Sequence, residues 1–560
     1  MSFRSNSNPQ FRSKFSEDIF LQKYAHEGCE NWDQLCAVLV EDVCQEHLSK
    51  QDKDQLTQYM RELKLIPGGR YLYYAGRSIR YYNNCYLLRA EEDTREDWAN
   101  LSWKAESCLM TGGGIGVDYS RYRGSGAPLS RTGGTASGPI PKMQMVNEIG
   151  RRVMQGGSRR SAIYASLNWQ HSDVEDFLNS KNWKDMPAGT SGLSLADLKE
   201  QDFNFPCPMD MTNISVNYDT EWLIDYWRTS DPGDVFKKNV RQALSTAEPG
   251  FSFNFFDKEN ETLRNACTEV TSEDDSDVCN LGSVNLGRID SLEEFQSIVD
   301  LATKFLICGT LRADLPYKKV RLVREKNRRL GLGLMGVHEW LLKRGYRYEV
   351  VPELHQWLSV YRGVSDKTAN SFADSLSISR PVAVRAIAPT GSIGILAGTT
   401  TGIEPLFAVA YKRRYLKGGS RWHYQYVVDG TAQELIALYG VDPANIESAL
   451  DLASDYERRI KFQADVQDYV DMSISSTINL PSWGSALNNE DTVDAFAKTL
   501  ASYAHRLRGF TCYPDGARGG QPLTSVDYDY AKDKLGETFE ENVEVVDICS
   551  ITGHGGSCGA

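Results

Sequence analysis

The chain has 560 residues, of which 41% are hydrophobic and 24% charged, a composition typical of a globular protein. Its formal net charge of -13 argues against general affinity for nucleic acid or anionic membranes, although local arginines and backbone amides can still bind phosphate. No apolar run is long enough to cross a bilayer, and the first residues lack a signal-peptide core. We therefore expect a cytoplasmic protein without a membrane or nucleic-acid partner.

The first part of the chain, residues 1–70, is predicted to be a helical region that covers the rest of the fold. Asn31 can cap a helix over 32–48, because apolar residues recur there at helical spacing. A second predicted helix over 53–65 stops at Pro67 and the two glycines after it. This region holds no obvious catalytic set.

From residue 70 onward, short apolar runs broken by glycine alternate with helical stretches. Such alternation favours an α/β fold, either an open sheet or a closed barrel. We place the α/β part at 71–535 and an acidic, glycine-rich tail at 536–560, whose composition predicts mobility. Strands are predicted at 70–74, 84–88, 116–119, 282–286, 382–388 and 473–479, and helices at 97–109, 292–308 and 491–506.

The 12 cysteines should be mostly reduced in a cytoplasmic protein, and the absence of a C-x-x-C pair predicts no structural metal site. Two of them, Cys549 and Cys558, lie in the tail, where a free thiol is a liability unless it is used. They could reduce a buried disulfide by thiol exchange, be an incidental pair, or hold a metal together with His554. Six others are predicted to be core residues: Cys29, Cys36, Cys44, Cys108, Cys207 and Cys308.

The most informative stretch is 265–269, which reads Asn-Ala-Cys-Thr-Glu. It places a thiol, a polarising amide and a proton acceptor in one short loop, and a buried structural cysteine needs no such neighbours. We interpret it as a redox site. The alternative is a cysteine hydrolase or transferase in which Cys267 attacks an acyl carbon, although none of the 8 histidines lies in a recognisable protease signature. A third possibility is a nucleotide-binding protein without catalysis.

Several stretches could bind phosphate. The glycines of 111–116 follow a helix and precede a strand, the wrong order for a dinucleotide motif, so a tight turn is the better interpretation. The loop 389–393 comes after an apolar run, and its hydroxyls and amides could form an anion nest. Arginines at 159–160 and at 121, 123 and 131 form basic loops. More than one nucleotide could therefore bind per chain.

Taken together and in this order, these motifs resemble the catalytic subunit of ribonucleotide reductase, in a short form without the N-terminal ATP-binding domain of many relatives. The resemblance extends from about residue 65 to the C-terminus. It rests on 84–85, 111–116, 133–139, 159–162, 265–269, 279–286, 389–393, 402–405 and the tail cysteines.

The resemblance implies a ten-stranded α/β barrel with the radical cysteine on an internal loop. It implies that Cys267 becomes a thiyl radical and abstracts the 3′-hydrogen of the substrate ribose. Glu269 would take the 3′-hydroxyl proton while Asn265 hydrogen-bonds the sugar. The substrate would be a ribonucleoside di- or triphosphate.

The same resemblance assigns the reducing equivalents to Cys85 and Cys279, which become a disulfide as the 2′-hydroxyl leaves as water. Cys549 and Cys558 would then reduce that disulfide and be reduced in turn by a thioredoxin- or glutaredoxin-type protein. A homodimer is also expected.

The resemblance also implies two nucleotide sites. A deoxynucleoside triphosphate or ATP would bind as an allosteric effector at Asp93, Arg123 and Arg131. The substrate would be bound by Asn84, Pro389, Thr390, Gly391, Ser392 and Ile393.

The source of the radical is the least defined feature. Relatives that use a separate dimetal radical subunit carry two adjacent tyrosines near the C-terminus, whereas this chain has Cys512 and Tyr513 at the corresponding place. These two residues are the radical-transfer candidates. Loops at 66–72 and 402–407 are most similar to the adenosylcobalamin-dependent class, so the interpretation leans toward adenosylcobalamin, with the dimetal subunit as the alternative.

Overall fold

The computed structural model describes residues 11–153, 161–189, 192–201, 205–417, 421–517 and 523–539. Helices and strands alternate along them, as the α/β prediction requires. Among these residues, no helix is both long and apolar enough to cross a membrane. The helices are α1 (Lys14–Lys23), α2 (Trp32–Cys44), α3 (Lys50–Arg61), α4 (Gly69–Tyr74), α5 (Arg95–Met110), α6 (Pro139–Arg152), α7 (Val174–Asn179), α8 (Leu195–Gln201), α9 (Thr220–Thr229), α10 (Asp234–Thr246), α11 (Leu292–Arg312), α12 (Lys318–Asn327), α13 (Val337–Lys343), α14 (Pro352–Ser375), α15 (Gly391–Ala397), α16 (Gly430–Tyr439), α17 (Ala449–Leu452), α18 (Tyr456–Gln467), α19 (Val493–Tyr503) and α20 (Tyr528–Asp533).

The strands form one large sheet and three smaller ones. They are β1 (Leu65–Pro67), β2 (Cys85–Leu88), β3 (Gly114–Asp118), β4 (Ile163–Asn168), β5 (Thr212–Tyr218), β6 (Gly250–Phe253), β7 (Leu263–Arg264), β8 (Thr271–Ser272), β9 (Asp277–Val278), β10 (Leu281–Asn285), β11 (Gly331–Met335), β12 (Ala410–Lys417), β13 (Arg421–Val428), β14 (Thr477–Leu480), β15 (Gly509–Pro514), β16 (Leu523–Ser525) and β17 (Thr538–Phe539).

The large sheet has eight strands in the order β14-β15-β6-β5-β4-β3-β2-β9. Strands β2 to β6 are parallel neighbours, and the sheet turns antiparallel where β6 meets β15 and where β2 meets β9. The chain between successive parallel strands contains helices such as α5 and α6, which is the crossover that parallel strands require.

A three-stranded sheet, β1-β10-β11, continues from the large sheet along the chain, because β10 begins shortly after β9 ends. Single bridges extend it further: Leu332 pairs with Arg385, and Ile387 pairs with Ile474 just before β14. The predicted strand at 382–388 is therefore present only as these bridges. The bridges connect the small sheet back to the start of the large one.

The N-terminal helices share their core with later parts of the chain. Asn31 caps α2 as predicted, with its side chain accepting a hydrogen bond from the Gln34 amide at 2.9 Å. Trp32 is fully buried and donates its ring N–H to the Met60 carbonyl at 3.0 Å. The same apolar cluster contains Phe305 of α11 and Trp357 of α14. The first helices are thus one side of the main core.

The predicted strand at 70–74 is wrong, because these residues form helix α4. Tyrosines favour strands by propensity, but packing decides the outcome here. Tyr71 is fully buried, stacks on Tyr82 with ring centroids 4.6 Å apart and donates its hydroxyl to Asn280. The Arg70 guanidinium donates to the Thr111 carbonyl.

A four-stranded antiparallel sheet with the order β16-β12-β13-β17 lies outside this pattern, and it was not predicted. Its central hairpin pairs β12 with β13 from Ala410–Val428 to Lys417–Arg421. Helix α20 comes after β16 and buries Ala531 in a small cluster with Ala410 and Val428.

Candidate active site

The stretch predicted to be catalytic forms a short hairpin loop between β7 and β8. Leu263 pairs with Ser272 and Arg264 with Thr271, which leaves 265–270 as the loop. The Asn265 side-chain oxygen accepts from the Val270 amide at 3.0 Å, and the Thr268 amide donates to the Asn265 carbonyl at 3.0 Å. Thr268 has φ of 70°, the left-handed conformation that such a tight turn requires.

Two glycines in β3 create the space for this loop. A Cβ on Gly116 would lie 1.6 Å from the Arg264 carbonyl oxygen, and a Cβ on Gly114 would lie 3.3 Å from Cβ of Ala266. Real Cβ contacts are never as close as the first distance, so any side chain at Gly116 would displace the loop. Sequence reasoning assigned 111–116 to a turn and missed this second role. Glycine at every second position of a strand is the signal that indicates it.

Backbone and side-chain contacts hold the tip of the loop from the other side. The Ser473 amide donates to the Glu269 carbonyl at 2.8 Å, and the Asn213 side chain donates to the Ala266 carbonyl at 3.4 Å. Ser473 and Asn213 had not been identified from the sequence. The loop is therefore fixed to β5 and to the segment before β14.

The three predicted chemical residues are brought together in this loop, and all are buried. Asn265 and Glu269 are at most 1% exposed and Cys267 is 4% exposed. The side-chain nitrogen of Asn265 and Oε2 of Glu269 have no hydrogen-bond partner among the described residues. Buried polar atoms are nearly always paired, so these atoms fit a bound polar ligand.

Burial raises the pKa of Glu269 to about 8, and the nearby Cys85 adds to the rise while the Asn265 amide opposes it. Without a ligand this carboxyl group is therefore mostly protonated at neutral pH. A carboxyl group with a pKa near the working pH suits proton transfer in either direction.

Cys85 and Cys279 face each other across the antiparallel pair β2–β9. The pairing of Tyr86 with Val278 continues by one residue, and the Cys279 amide donates to the Cys85 carbonyl at 3.2 Å. Neither residue forms a disulfide here, and both are almost completely buried. Cross-strand Cβ atoms lie about 4.5–5.5 Å apart, so a small movement brings them to the separation of a disulfide, about 3.8 Å.

The pKa of the Cys279 thiol is raised well above its usual value, first by burial, then by its hydrogen bond with Cys85 and by the nearby Glu269. Cys279 therefore stays in the thiol form. Two thiols and a carboxyl group thus lie close enough in one buried site to influence one another's charge.

The predicted phosphate loop lies next to the same site. Ala386 and Ala388, which directly precede it, belong to one small apolar cluster with Cys85, Ala266 and Cys279. Thr390 adopts the left-handed conformation with φ of 50°, and its hydroxyl accepts from the Gly402 amide at 2.8 Å. The loop turns there into α15, which begins at the predicted substrate residues Gly391, Ser392 and Ile393, shortly after Pro389.

Asn84, the remaining predicted substrate residue, directly precedes Cys85. Its side-chain oxygen has no partner among the described residues and lies 3.0 Å from the position of a Cβ on Gly68. It is therefore another buried acceptor beside the thiol pair.

The radical-transfer candidates Cys512 and Tyr513 are neighbours on β15. Successive side chains of a strand point to opposite faces of the sheet. The Cys512 thiol is buried against α10, where it donates to the Ala243 carbonyl at 3.6 Å. Burial raises its pKa to about 12. Tyr513 is half-buried and points to the other face. The two side chains are thus not stacked one on the other.

Two of the three predicted effector residues are in contact. Arg123 pairs with Asp93 at 2.6 Å, and the Trp98 ring nitrogen donates to Asp93 at 2.9 Å. Arg131 is exposed, on a hairpin closed by the bridge between Pro128 and Thr135. A cavity of about 420 Å³ opens beside this hairpin, and its lining includes Ser125, Ser137, Ile140, Gln144 and Asp173.

Cys549 and Cys558 lie outside the described residues, as do Arg159 and Arg160. The six cysteines predicted to be core residues are all buried and free, so that prediction is confirmed. Among the described side chains, no group of histidine, cysteine and carboxylate residues could hold a metal ion.

The family resemblance predicts that the radical source, adenosylcobalamin or a dimetal subunit, acts on Cys267. This thiol retains slight exposure, whereas Asn265 and Glu269 are closed off. That access suits either source, and no set of side chains within the described ranges identifies where a corrin would bind. The polar atoms left without partners suit a sugar hydroxyl rather than a large cofactor.

Comparisons with known proteins agree with this geometry. A vitamin B12-dependent ribonucleoside-diphosphate reductase of Mycobacterium tuberculosis (strain CDC 1551 / Oshkosh) is 26% identical over 538 residues, covering 88% of this chain and 76% of that protein. A protein of the same description from Thermoplasma acidophilum is 25% identical, covering 87% of this chain and 68% of its own length.

A solved structure, the alpha subunit of the Actinobacillus ureae class Id ribonucleotide reductase, has a TM-score of 0.69 and 15% identity, covering 90% of this chain and 97% of that one. The two proteins therefore share a fold. The family model described as ribonucleotide reductase, barrel domain, matches residues 83–205, 209–354 and 380–513. These segments make up more than half of the sequence, and the chain belongs to the ribonucleotide reductase family.

Proposed function

We propose that this chain is the catalytic subunit of a ribonucleotide reductase, which converts ribonucleoside di- or triphosphates to 2′-deoxyribonucleotides. One observation carries the proposal: the thiol pair Cys85–Cys279 meets Glu269 and the Cys267 loop in a single buried cluster. A cysteine hydrolase would need a base beside Cys267 and no dithiol, and the named relatives also favour reduction over that alternative.

The chemistry of these residues balances in atoms and electrons. Cys267, as a thiyl radical, takes the hydrogen atom from C3′ of the ribose, and Glu269 accepts the proton of the 3′-hydroxyl. The 2′-hydroxyl leaves as water with a proton from one thiol of the Cys85–Cys279 pair, and the hydrogen of the other thiol goes to C2′, so the pair gives up two electrons and becomes a disulfide. Cys267 then returns the hydrogen atom to C3′, and Glu269 returns the proton to the 3′-oxygen. One ribonucleotide and one dithiol thus yield one deoxyribonucleotide, one disulfide and one water.

The surroundings support radical chemistry in a second way. A thiyl radical must be protected from water and from stray reductants, and the loop is buried on β3 and against Ser473. Asn265 and Asn84 supply buried polar atoms that can bind the sugar and hold it near the thiols.

The proposed architecture is a ten-stranded barrel within 71–535. The eight-stranded sheet, the three-stranded sheet and the bridges at Arg385, Ile387 and Ile474 support it, because together they connect the two ends of the large sheet. In this arrangement the 265–270 loop enters the barrel. Of the N-terminal region, residues 11–70 pack outside it. The tail 536–560 would supply Cys549 and Cys558 as the dithiol that reopens the active-site disulfide for a thioredoxin- or glutaredoxin-type protein.

For the radical source we favour adenosylcobalamin, which when bound supplies the radical that removes the hydrogen atom from the Cys267 thiol. The vitamin B12-dependent relatives support this choice. A separate dimetal subunit is the competing source. A dimetal subunit would pass the radical through Tyr513, because the Cys512 side chain points toward α10 and away from Tyr513.

An allosteric site for a deoxynucleoside triphosphate or ATP is proposed at Asp93, Arg123 and Arg131, beside the hairpin that contains Arg131. A homodimer is proposed through the outer face of α5 and α6. Trp103, Met110 and Met145 on these helices are large apolar side chains exposed to solvent, which a second copy would cover.

The function is tested by assaying the purified chain with adenosylcobalamin, a dithiol and either CDP or CTP. We expect deoxynucleotide formation by the native chain and none by Cys267→Ser, which should still bind the substrate. Cys207→Ala is the matched control, because Cys207 is also buried but lies in the segment next to α8. Turnover by Cys267→Ser would refute the proposal.

A further inference from the structure

The Asn83 side chain connects the two chain segments that contain Cys85 and Cys279. Its amide nitrogen donates to the Cys279 carbonyl at 2.6 Å, and Asn83 itself lies two residues before Cys85. Asn83 is only 1% exposed, so this hydrogen bond is shielded from water. A side chain from the segment of one cysteine thus holds the backbone of the other.

The Cys279 carbonyl lies where the large sheet ends. The pairing of β2 with β9 stops at Val278, and the chain then crosses to the three-stranded sheet, in which β10 begins two residues after Cys279. Beyond the paired residues, the Cys279 amide still donates to the Cys85 carbonyl at 3.2 Å. The Asn83 amide supplies the next hydrogen bond, to the carbonyl of the same residue.

The residue after Cys279 is held by separate contacts. Asn280 accepts a hydrogen bond from the Tyr71 hydroxyl and donates to the Leu306 carbonyl at 2.5 Å. These bonds fix the chain on the side of the small sheet, whereas the Asn83 bond fixes Cys279 against the segment of Cys85. Together they determine where the Cys279 backbone lies relative to Cys85, and with it the separation of the two sulfur atoms.

The separation of two thiols decides how readily they form a disulfide. A disulfide has narrow limits on distance and torsion, and strain makes the bond easier to reduce. Holding both residues close to the required geometry raises their effective concentration, which favours the oxidised pair. A dithiol whose disulfide is more stable has a lower reduction potential and gives up its two electrons and two protons more readily.

We propose that Asn83 is a positioning residue for the Cys85–Cys279 pair, which lowers the reduction potential of the pair by holding Cys279 opposite Cys85. The inference rests on the proposed function, since it takes these two cysteines to be the pair that is oxidised when the ribose is reduced. It assigns a role to the residue just before Asn84, for which the sequence gave no indication.

The test measures the reduction potential of the pair in the full chain, for the native protein, Asn83→Ala and Asn488→Ala. The protein is equilibrated with mixtures of dithiothreitol and its oxidised form, which exchange two electrons and two protons with the pair. Free thiols are then alkylated and assigned to each cysteine by mass spectrometry. Asn488 is the matched control, because it is also buried and its side chain donates to the carbonyls of Leu244 on α10 and Pro481 after β14.

For Asn83→Ala we expect the equilibrium constant of disulfide formation to fall about tenfold, which makes the reduction potential about 30 mV less negative. Asn83→Ser is a milder second variant that should shift the constant in the same direction, because its hydroxyl is too short to reach the Cys279 carbonyl. Asn488→Ala should lower the melting temperature but leave the constant within about twofold of the native value, because the bonds it removes do not hold either cysteine.

A role of Asn83 in stability alone would lower the melting temperature of Asn83→Ala and leave the potential unchanged, since both redox states would be destabilised equally. An unchanged potential in Asn83→Ala and Asn83→Ser, or an equal shift in Asn488→Ala, would overturn the inference and leave the proposed function intact. If Cys85 and Cys279 of the native chain form no disulfide at any ratio of the two forms of dithiothreitol, the proposed function is overturned, and this inference with it.

Discussion

The molecule contains two buried thiol pairs that look alike in isolation and differ in their surroundings. Cys85 and Cys279 share a hydrogen bond, and so do Cys44 of α2 and Cys308 of α11. All four residues are almost completely buried, and the pKa values of Cys279 and Cys44 are both raised well above the usual range.

The difference lies in the groups around each pair. Cys44 and Cys308 are enclosed in the large apolar cluster that also contains Trp32 and Phe305. Cys85 and Cys279 lie beside Glu269, near buried polar atoms of Asn84 and Asn265 that have no partner among the described residues. Two adjacent thiols are thus not sufficient evidence of redox chemistry. The unpartnered polar groups distinguish the pair proposed to be redox-active from the pair enclosed in the apolar core.

The largest expected effect separates the two pairs by activity. Replacing Cys85 or Cys279 with alanine should reduce turnover with a dithiol-protein reductant at least roughly a thousandfold, because the two electrons have no other source. Cys44→Ala and Cys308→Ala are the matched controls and should retain turnover within about threefold, with stability lowered by about 1 kcal/mol. Deoxynucleotide formation measures the turnover of each variant, and urea unfolding measures its stability. Comparable loss of turnover in all four variants would remove the distinction.

A second prediction compares two strand glycines, Gly116 of β3 against the 265–270 loop and Gly282 of β10 against Leu306. Gly116→Ala should cost about 3 kcal/mol of stability and most of the activity, because the new Cβ would meet the Arg264 carbonyl at 1.6 Å and displace the loop. Gly282→Ala is the control, since its Cβ would make an ordinary contact at 3.4 Å with Leu306, close to Cys308 in sequence. Chemical denaturation and the kcat of both variants provide the readout. If Gly116→Ala is as stable and active as Gly282→Ala, the loop does not need that close approach.

The third effect is on the pH dependence of stability and concerns proton linkage beside the Cys85–Cys279 pair. The pKa of Glu269 is raised from 4.5 to about 8 in the folded protein, so the folded state keeps a proton that the unfolded chain releases between those pH values. Native stability should therefore fall as pH rises through that window and level off above about 8. Glu269→Gln removes this dependence.

The measurement is the melting temperature of native protein and Glu269→Gln at several pH values from about 4.5 to about 8.5, which span the two pKa values. The advantage of the variant should grow with pH, although the variant is expected to be inactive. Glu259→Gln, at an exposed carboxylate on the chain leading into β7, should track the native curve. A constant difference between Glu269→Gln and native protein would contradict the raised pKa.

The sequence indicates which side chains lie together in the 265–269 loop but not the contacts that hold that loop. Asn265, Cys267 and Glu269 were identified because their side chains are chemically unusual neighbours, and the structure buries them in one loop. The partnership of Cys85 with Cys279 came from family resemblance alone. It depends on the pairing of β2 with β9, a long-range contact that leaves no local pattern.

The features that the sequence did not predict also depend on contacts between residues far apart in the chain. Residues 70–74 have strand-forming side chains, yet the stacking of Tyr71 on Tyr82 and its bond to Asn280 favour a helix. The glycines at 114 and 116 are explained only by a loop that arrives from far along the chain, in the stretch of 263–272.

The shared packing of Trp32 with Phe305 and Trp357 has a practical consequence for attempts to produce a minimal catalytic fragment. A polypeptide starting at residue 71 would lose Trp32 and Leu39 from that cluster. Their former partners would then form a large apolar surface exposed to water. Such a fragment would aggregate before its chemistry could be measured. The N-terminal helices are therefore part of the same folding unit as the catalytic residues, and truncation before residue 71 is not a way to isolate the active site.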